Sequence, residues 1–163
     1  MGRYALKIYL YKPDHSRWDQ RLMSLVSRVY WGHIALSIGP ALYFINKKTG
    51  MRICKEEAVH KLMQWDECLF LEELIINDRK VLDRLKNPEY KQSSTLYTTL
   101  WWYVGKLLKL PMPKLCSTET CVILQKLNFD IPQYLTAEEI KEWLYENNCI
   151  CGSRRRWQND DCP

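Results

Sequence analysis

WGHIALSIGPALYFIN, residues 31–46, decides the fold. Its first half alternates. Ile34, Leu36 and Ile38 fall on one side, His33, Ala35 and Ser37 on the other, which is the period-two pattern of a strand. Gly39-Pro40 punctuates the run as a turn. ALYFIN (41–46) then reads as a second strand, and so short a connection makes the pair an antiparallel meander. Asn46 through Gly50 is turn-rich, and MRIC (51–54) supplies a third strand.

Working outward, YALKIYLY (4–11) is aromatic and branched and ends at Pro13-Asp14, so it is a further strand. Residues 16–30 carry Trp18, Leu22, Leu25, Val26 and Val29 at helical spacing, with Ser16 as cap and Asp19 at the capping-box position. Helices are also predicted over 55–64 and over 78–87, the latter stopping before Pro88. CLFLEEL (68–74) fits a strand or a helix start. Residues 93–109 are aromatic and mostly helical, with Leu96, Leu100, Tyr103, Val104, Leu107 and Leu108 on one stripe. Pro111 and Pro113 break regular structure, a helix runs from near Cys116 to about Leu127, and Thr136-Ala137-Glu138-Glu139 opens a last helix over 137–147. The pattern is that of an α+β fold, a small antiparallel sheet packed against helices. Residues 1–147 are expected as one domain and 148–163 as a loose C-terminal tail.

The chain has 163 residues, 47% hydrophobic and 26% charged, enough to bury a core and unlike a disordered segment. A net charge of +5 is too modest for a nucleic-acid binder, so no nucleic-acid partner is expected. Arg3, Lys7 and Lys12 interrupt the opening residues, and no run of about 18 apolar residues occurs. The expectation is a cytoplasmic protein without signal peptide or structural disulfides, one of whose seven cysteines is necessarily unpaired.

Three residues carry the candidate chemistry. Cys116 sits in the first turn of its helix, where unpaired N–H groups and the helix dipole favour a thiolate and can hold an oxyanion. The same position also fits a small buried hydrophobe. Cys116 shares a helix face with Thr120, Ile123, Leu124 and Leu127, whose apolar members point it toward the sheet. His33 opens its strand, and the small neighbours Ala35 and Ser37 leave room for a helix end to approach that face. Asn46 closes the next strand, where it serves either as a turn residue or as the group that fixes the imidazole tautomer. Cys121, one turn deeper, is the competing nucleophile and reads better as core. Cys149-Ile150-Cys151 lacks a nearby histidine or second pair, so no metal and no cofactor is called for. Residues 95–111, with Lys106 and Lys109, read either as a buried helix with two solvated lysines or as a peripheral membrane contact.

The run 31–46, with Gly32-His33 on a strand and a polar residue about a dozen positions later, resembles NlpC-type papain-like cysteine hydrolases. Cys116-Ser117 resembles the Cys-Ser helix start of that family. Histidine before cysteine matches its circularly permuted branch, which includes lecithin–retinol-acyltransferase-like enzymes. IYLYKPD (8–14) and LTAEEIKEWL (135–144) look most like small phage-encoded members. The resemblance covers most of residues 5–145. Thr118 stands where many relatives carry glutamate, and Asn46 where histidine or glutamate is more frequent. It implies a permuted papain-like fold and a cysteine peptidase, amidase or thioesterase acting on a peptide or acyl-containing substrate. Cys116 would be nucleophile, His33 base and Asn46 orienter. The same fold also hosts lipid acyltransferases, and a phage protein that binds a host factor without catalysis is the alternative from another class.

Overall fold

The alternation over 33–38 becomes strand β2 (His33–Ile38), and its two neighbours in the sheet are the strands read on either side of it. The computed structural model describes residues 2–12, 18, 21, 31, 33–39, 41–46, 50–55, 65–76, 96–110 and 115–155. Six strands form one sheet: β1 (Gly2–Tyr11), β2, β3 (Ala41–Asn46), β4 (Gly50–Lys55), β5 (Glu67–Ile76) and β6 (Ile150–Arg155). Their order is β4-β3-β2-β1-β5-β6, and every neighbouring pair is antiparallel.

β1 lies between β2 and β5 because both of its faces are apolar: Leu6, Ile8 and Leu10 are buried on one, Tyr9 and Tyr11 on the other. Its register with β2 runs from Leu6↔Ile38 to Tyr11↔His33. The β2–β3 turn is fixed by Gly39, whose φ of 57° is left-handed and whose N–H donates to Ala5 O at 2.9 Å. A Cβ there would lie 3.1 Å from the Tyr4 ring.

The helices α2 (Cys116–Lys126) and α3 (Ala137–Glu146) cover one face of the sheet. Ile123, Leu124 and Leu127, with Ile140 and Leu144 of α3, close over Leu6, Ile8, Leu10, Ile34, Leu36, Leu69 and Leu71. Burial of this continuous apolar set is the main term holding the layers together. The opposite face gathers Tyr9, Tyr11, Ala35 and Cys68, with Trp65 and Phe70 packed against them.

The capping box forms as read: Thr136 Oγ1 accepts from Glu139 N at 3.2 Å, and the Glu139 carboxylate accepts from Thr136 N at 2.7 Å. Two further contacts seat α3 on the sheet. Trp31 N donates to Glu138 Oε1 at 2.6 Å, and Lys141 Nζ donates to the buried Glu67 carboxylate at 2.7 Å.

Helix α1 (Leu96–Leu108) joins the layer through Trp102, which is buried and donates its indole N–H to Thr118 Oγ1 at 3.3 Å, and through Lys106, bonded to Glu139 at 2.6 Å. Burial opposes ionisation of Glu139, but Lys106 and the Thr136 amide hold its carboxyl below the usual range.

The two readings of 68–74 resolve to strand. Other expectations change. The loose tail is corrected over Ile150–Arg155, which forms an edge strand against β5 from Glu67↔Arg155 to Leu71↔Ile150. Gly152 and Ser153 give that segment little strand propensity of its own, and pairing along the open edge of β5 supplies its hydrogen bonds. Finally, the stripe read on α1, for which burial was one of two readings, faces outward: Leu100, Val104, Leu107 and Leu108 are exposed, because Trp102 and Lys106 find polar partners on α2 and α3. Lys106 is therefore paired rather than solvated. The predicted helices over 16–30, 55–64 and 78–87 lie outside the described residues, apart from Trp18 and Arg21, which are helical, and Lys55, which ends β4 instead of opening a helix.

Candidate active site

Pro111 and Pro113 prevent α1 and α2 from merging, so a new helix has to start after them. It starts at Cys116. Leu115 at the N-cap is extended (φ −113°, ψ 174°) and offers no side-chain cap, which leaves the first N–H groups of α2 uncapped by a side chain. The first turn is enclosed on every side: Ser117, Thr118, Glu119, Thr120 and Cys121 are all buried, while Cys116 is half-buried. Thr120 Oγ1 donates back to Cys116 O at 2.9 Å.

His33 is the first residue of β2 and is half-buried. Tyr11 stands opposite it on β1, and the two rings lie 5.6 Å apart between centroids at 47°. On the other side, the β2–β3 ladder pairs Leu36, Ser37 and Ile38 with Tyr43, Leu42 and Ala41 and extends no further among the described pairings. The start of β2 is where α2 delivers its first residue: the Cys116 thiol meets both the His33 imidazole and the backbone of Ile34.

The electrostatics of Cys116 follow from this placement. Burial pushes its thiol up. Opposing that are the charge and hydrogen bond of His33 and hydrogen bonds from the Ile34 and Ser117 backbone. Together they prevail, and the Cys116 pKa lies below its ordinary value of 9.0. Cys121 is the contrast on the same helix. It is fully buried, and desolvation drives its pKa up to about 12. At Cys121 the backbone hydrogen bonds that favour the thiolate are outweighed by desolvation, whereas at Cys116 the imidazole of His33 tips the balance the other way.

The structure thus brings Cys116 and His33 together, by a different route from the one expected. The helix was expected over the small face of β2, above Ala35 and Ser37. It packs instead on the Ile34, Leu36 and Ile38 face, while Ala35 is backed by Tyr9, Tyr11 and Cys68. The larger apolar face draws the larger apolar helix, and Cys116 and His33 meet at the strand end rather than across its face.

Asn46 closes β3 opposite Gly50 of β4. Counting the β2–β3 register onward would bring it level with His33, but the ladder stops at Leu36↔Tyr43, and the Asn46 side chain lies outside the described residues. Among the described residues, Cys68, Cys116, Cys121, Cys149 and Cys151 are thiols and not disulfides.

Sequence reading missed two contributors. Tyr11 flanks His33, and only the register of β1 on β2 reveals it. Thr118 ties the reactive helix to α1 by receiving the Trp102 N–H, and the signal available was a hydroxyl two residues after the cysteine. Comparison with known proteins returns no match among family models, curated proteins or solved structures.

Proposed function

We propose that the chain is a cysteine hydrolase of permuted papain-like type, cleaving an amide or thioester through an acyl-enzyme on Cys116. The observation that carries this reading is a helix-initial thiol whose pKa lies below its ordinary value in spite of burial, with His33 as the leading favourable cause. A purely structural cysteine has no need of such a partner, and Cys121 on the same helix has none.

The chemistry runs in two halves. His33 holds the proton taken from Cys116, and the thiolate adds to the acyl carbon. The carbonyl oxygen becomes an oxyanion at the start of α2, where no side chain caps the first N–H groups. The C–N or C–S bond then breaks, and the leaving group takes the proton from His33. Water attacks the thioester next, giving its proton to His33. The carboxylic acid departs, and the thiol is restored. Asn46 orients the imidazole in this scheme.

The test is acylation by p-nitrophenyl acetate. An enzyme of this type releases a burst of p-nitrophenolate stoichiometric with protein and carries the acetyl group on Cys116 in a peptide digest. Cys116→Ser and His33→Ala lose the burst while keeping the circular dichroism spectrum of the wild type. A burst that survives both substitutions, or an acetyl group found elsewhere, removes the proposal.

A further inference from the structure

Helix α1 is amphipathic in the reverse sense of an ordinary surface helix. Its inward side carries the buried Trp102 and the ion-paired Lys106, which fix its orientation on α2 and α3. Its outward side carries Leu100, Trp101, Val104, Leu107 and Leu108, and Leu110 follows just past the helix end. Leu107 is 81% exposed, Leu108 59% and Trp101 43%. At 3.6 residues per turn, Leu107, Leu100, Val104, Leu108 and Trp101 span an arc of about 120°, in which the helical period also places Tyr97 and no charged residue. Single exposed apolar residues are ordinary, but a contiguous strip on one helix marks a contact surface.

The charge around the strip selects what it meets. From Tyr90 to Thr118 the sequence holds no aspartate or glutamate, yet it contains Lys91, Lys106, Lys109 and Lys114. Lys106 is engaged by Glu139, and Lys109 is exposed at the helix end in a left-handed conformation (φ 56°). An apolar strip that includes a half-exposed tryptophan, on a segment that carries lysines and no acidic residue of its own, is complementary to an anionic lipid surface. Among the described residues no helix is long and apolar enough to cross a membrane, so the contact is with the interface.

We infer that α1 is a docking face for anionic membrane surfaces, with Leu100, Val104, Leu107 and Leu108 entering the headgroup layer and Lys109 held against lipid phosphates. The inference does not depend on the hydrolase reading.

Vesicle co-sedimentation tests it. Wild-type protein is expected to pellet with vesicles of phosphatidylcholine and phosphatidylglycerol, less with phosphatidylcholine alone, and less in high salt. The double variant Leu107→Ser/Leu108→Ser is expected to lose affinity on the order of tenfold or more, and Lys109→Glu to lose mainly the preference for the anionic lipid. Both substitutions fall on exposed positions, so an unchanged alkylation rate at Cys116 certifies the fold. Wild-type protein that stays in the supernatant with both kinds of vesicle overturns the inference. So does a dimer in sedimentation velocity that Leu107→Ser/Leu108→Ser dissociates in the absence of vesicle binding, which assigns the strip to a second copy of the chain.

Discussion

Replacing His33 by alanine removes the leading favourable influence on Cys116 and leaves burial, which raises its pKa, opposed only by backbone hydrogen bonds. Before the substitution, Cys116 lies below 9.0 and Cys121 at about 12. That gap of at least about 3 units makes the thiolate fraction at neutral pH at least about a thousandfold larger at Cys116. Part of this is returned because a thiolate of higher pKa is intrinsically the better nucleophile. A Brønsted coefficient of about 0.5 over that gap returns roughly 30-fold. The expected alkylation rate of Cys116 therefore exceeds that of Cys121 by at least roughly 30-fold, before the complete burial of Cys121 adds to it. The assay is iodoacetamide labelling across a pH series, resolved by site with mass spectrometry. In wild type, labelling of Cys116 should persist below the ordinary thiol range. In His33→Ala the profile should move to higher pH and the neutral rate should drop, with Cys121 unchanged. Labelling of Cys121 within a few-fold of Cys116 would refute the electrostatic argument, and an unmoved Cys116 profile would refute the coupling to His33.

Other consequences bear on stability. Above about pH 9 the unfolded chain ionises Cys121 while the folded state retains its proton up to about 12, so the raised folded pKa costs stability as pH rises. Cys121→Val removes that linkage, and in urea titrations at about pH 10 it should gain about 1.4 kcal/mol relative to wild type, compared with the difference measured near neutrality. Leu124→Ala, in the contact between α2 and the sheet, should cost about 2–5 kcal/mol by the same assay; a loss under about 1 kcal/mol contradicts the packing of α2 on β2. Gly39→Ala should cost about 1–2 kcal/mol from its left-handed backbone, with the Tyr4 ring adding to it. A neutral result would mean the turn takes another form.

What the sequence disclosed, and what it hid, divides along the range of the forces involved. Strands β1, β2 and β3 were readable because their apolar periodicity is local, and α3 because Thr136 and Glu139 write its start within four residues. β6 was hidden because Gly152 and Ser153 become strand only when β5 offers an edge. The face that α1 turns outward was left open between two readings for a related reason. A stripe of leucines reads as interior until one knows that Thr118 and Glu139 wait for Trp102 and Lys106 on the other side. The face of β2 that receives α2 was decidable from the residues, since Ile34, Leu36 and Ile38 offer more apolar surface than Ala35 and Ser37. The weight placed on room for close approach misdirected that one step.

The meeting of His33 and Cys116 has a structural logic that neither residue carries alone. Each is the first residue of its element. A helix start leaves N–H groups without intrahelical acceptors, and among the described pairings three residues of β2, His33, Ile34 and Ala35, precede its ladder with β3. A sulfur placed between those two beginnings receives hydrogen bonds from both, from Ile34 and from Ser117, without displacing any regular pairing. Deeper in either element the same backbone groups are consumed, which is why Cys121, only one turn further along α2, meets desolvation without comparable compensation. A reactive thiol in this fold therefore belongs at the element starts, and the burial of Ser117 through Cys121 around it keeps water from weakening the favourable charge of His33.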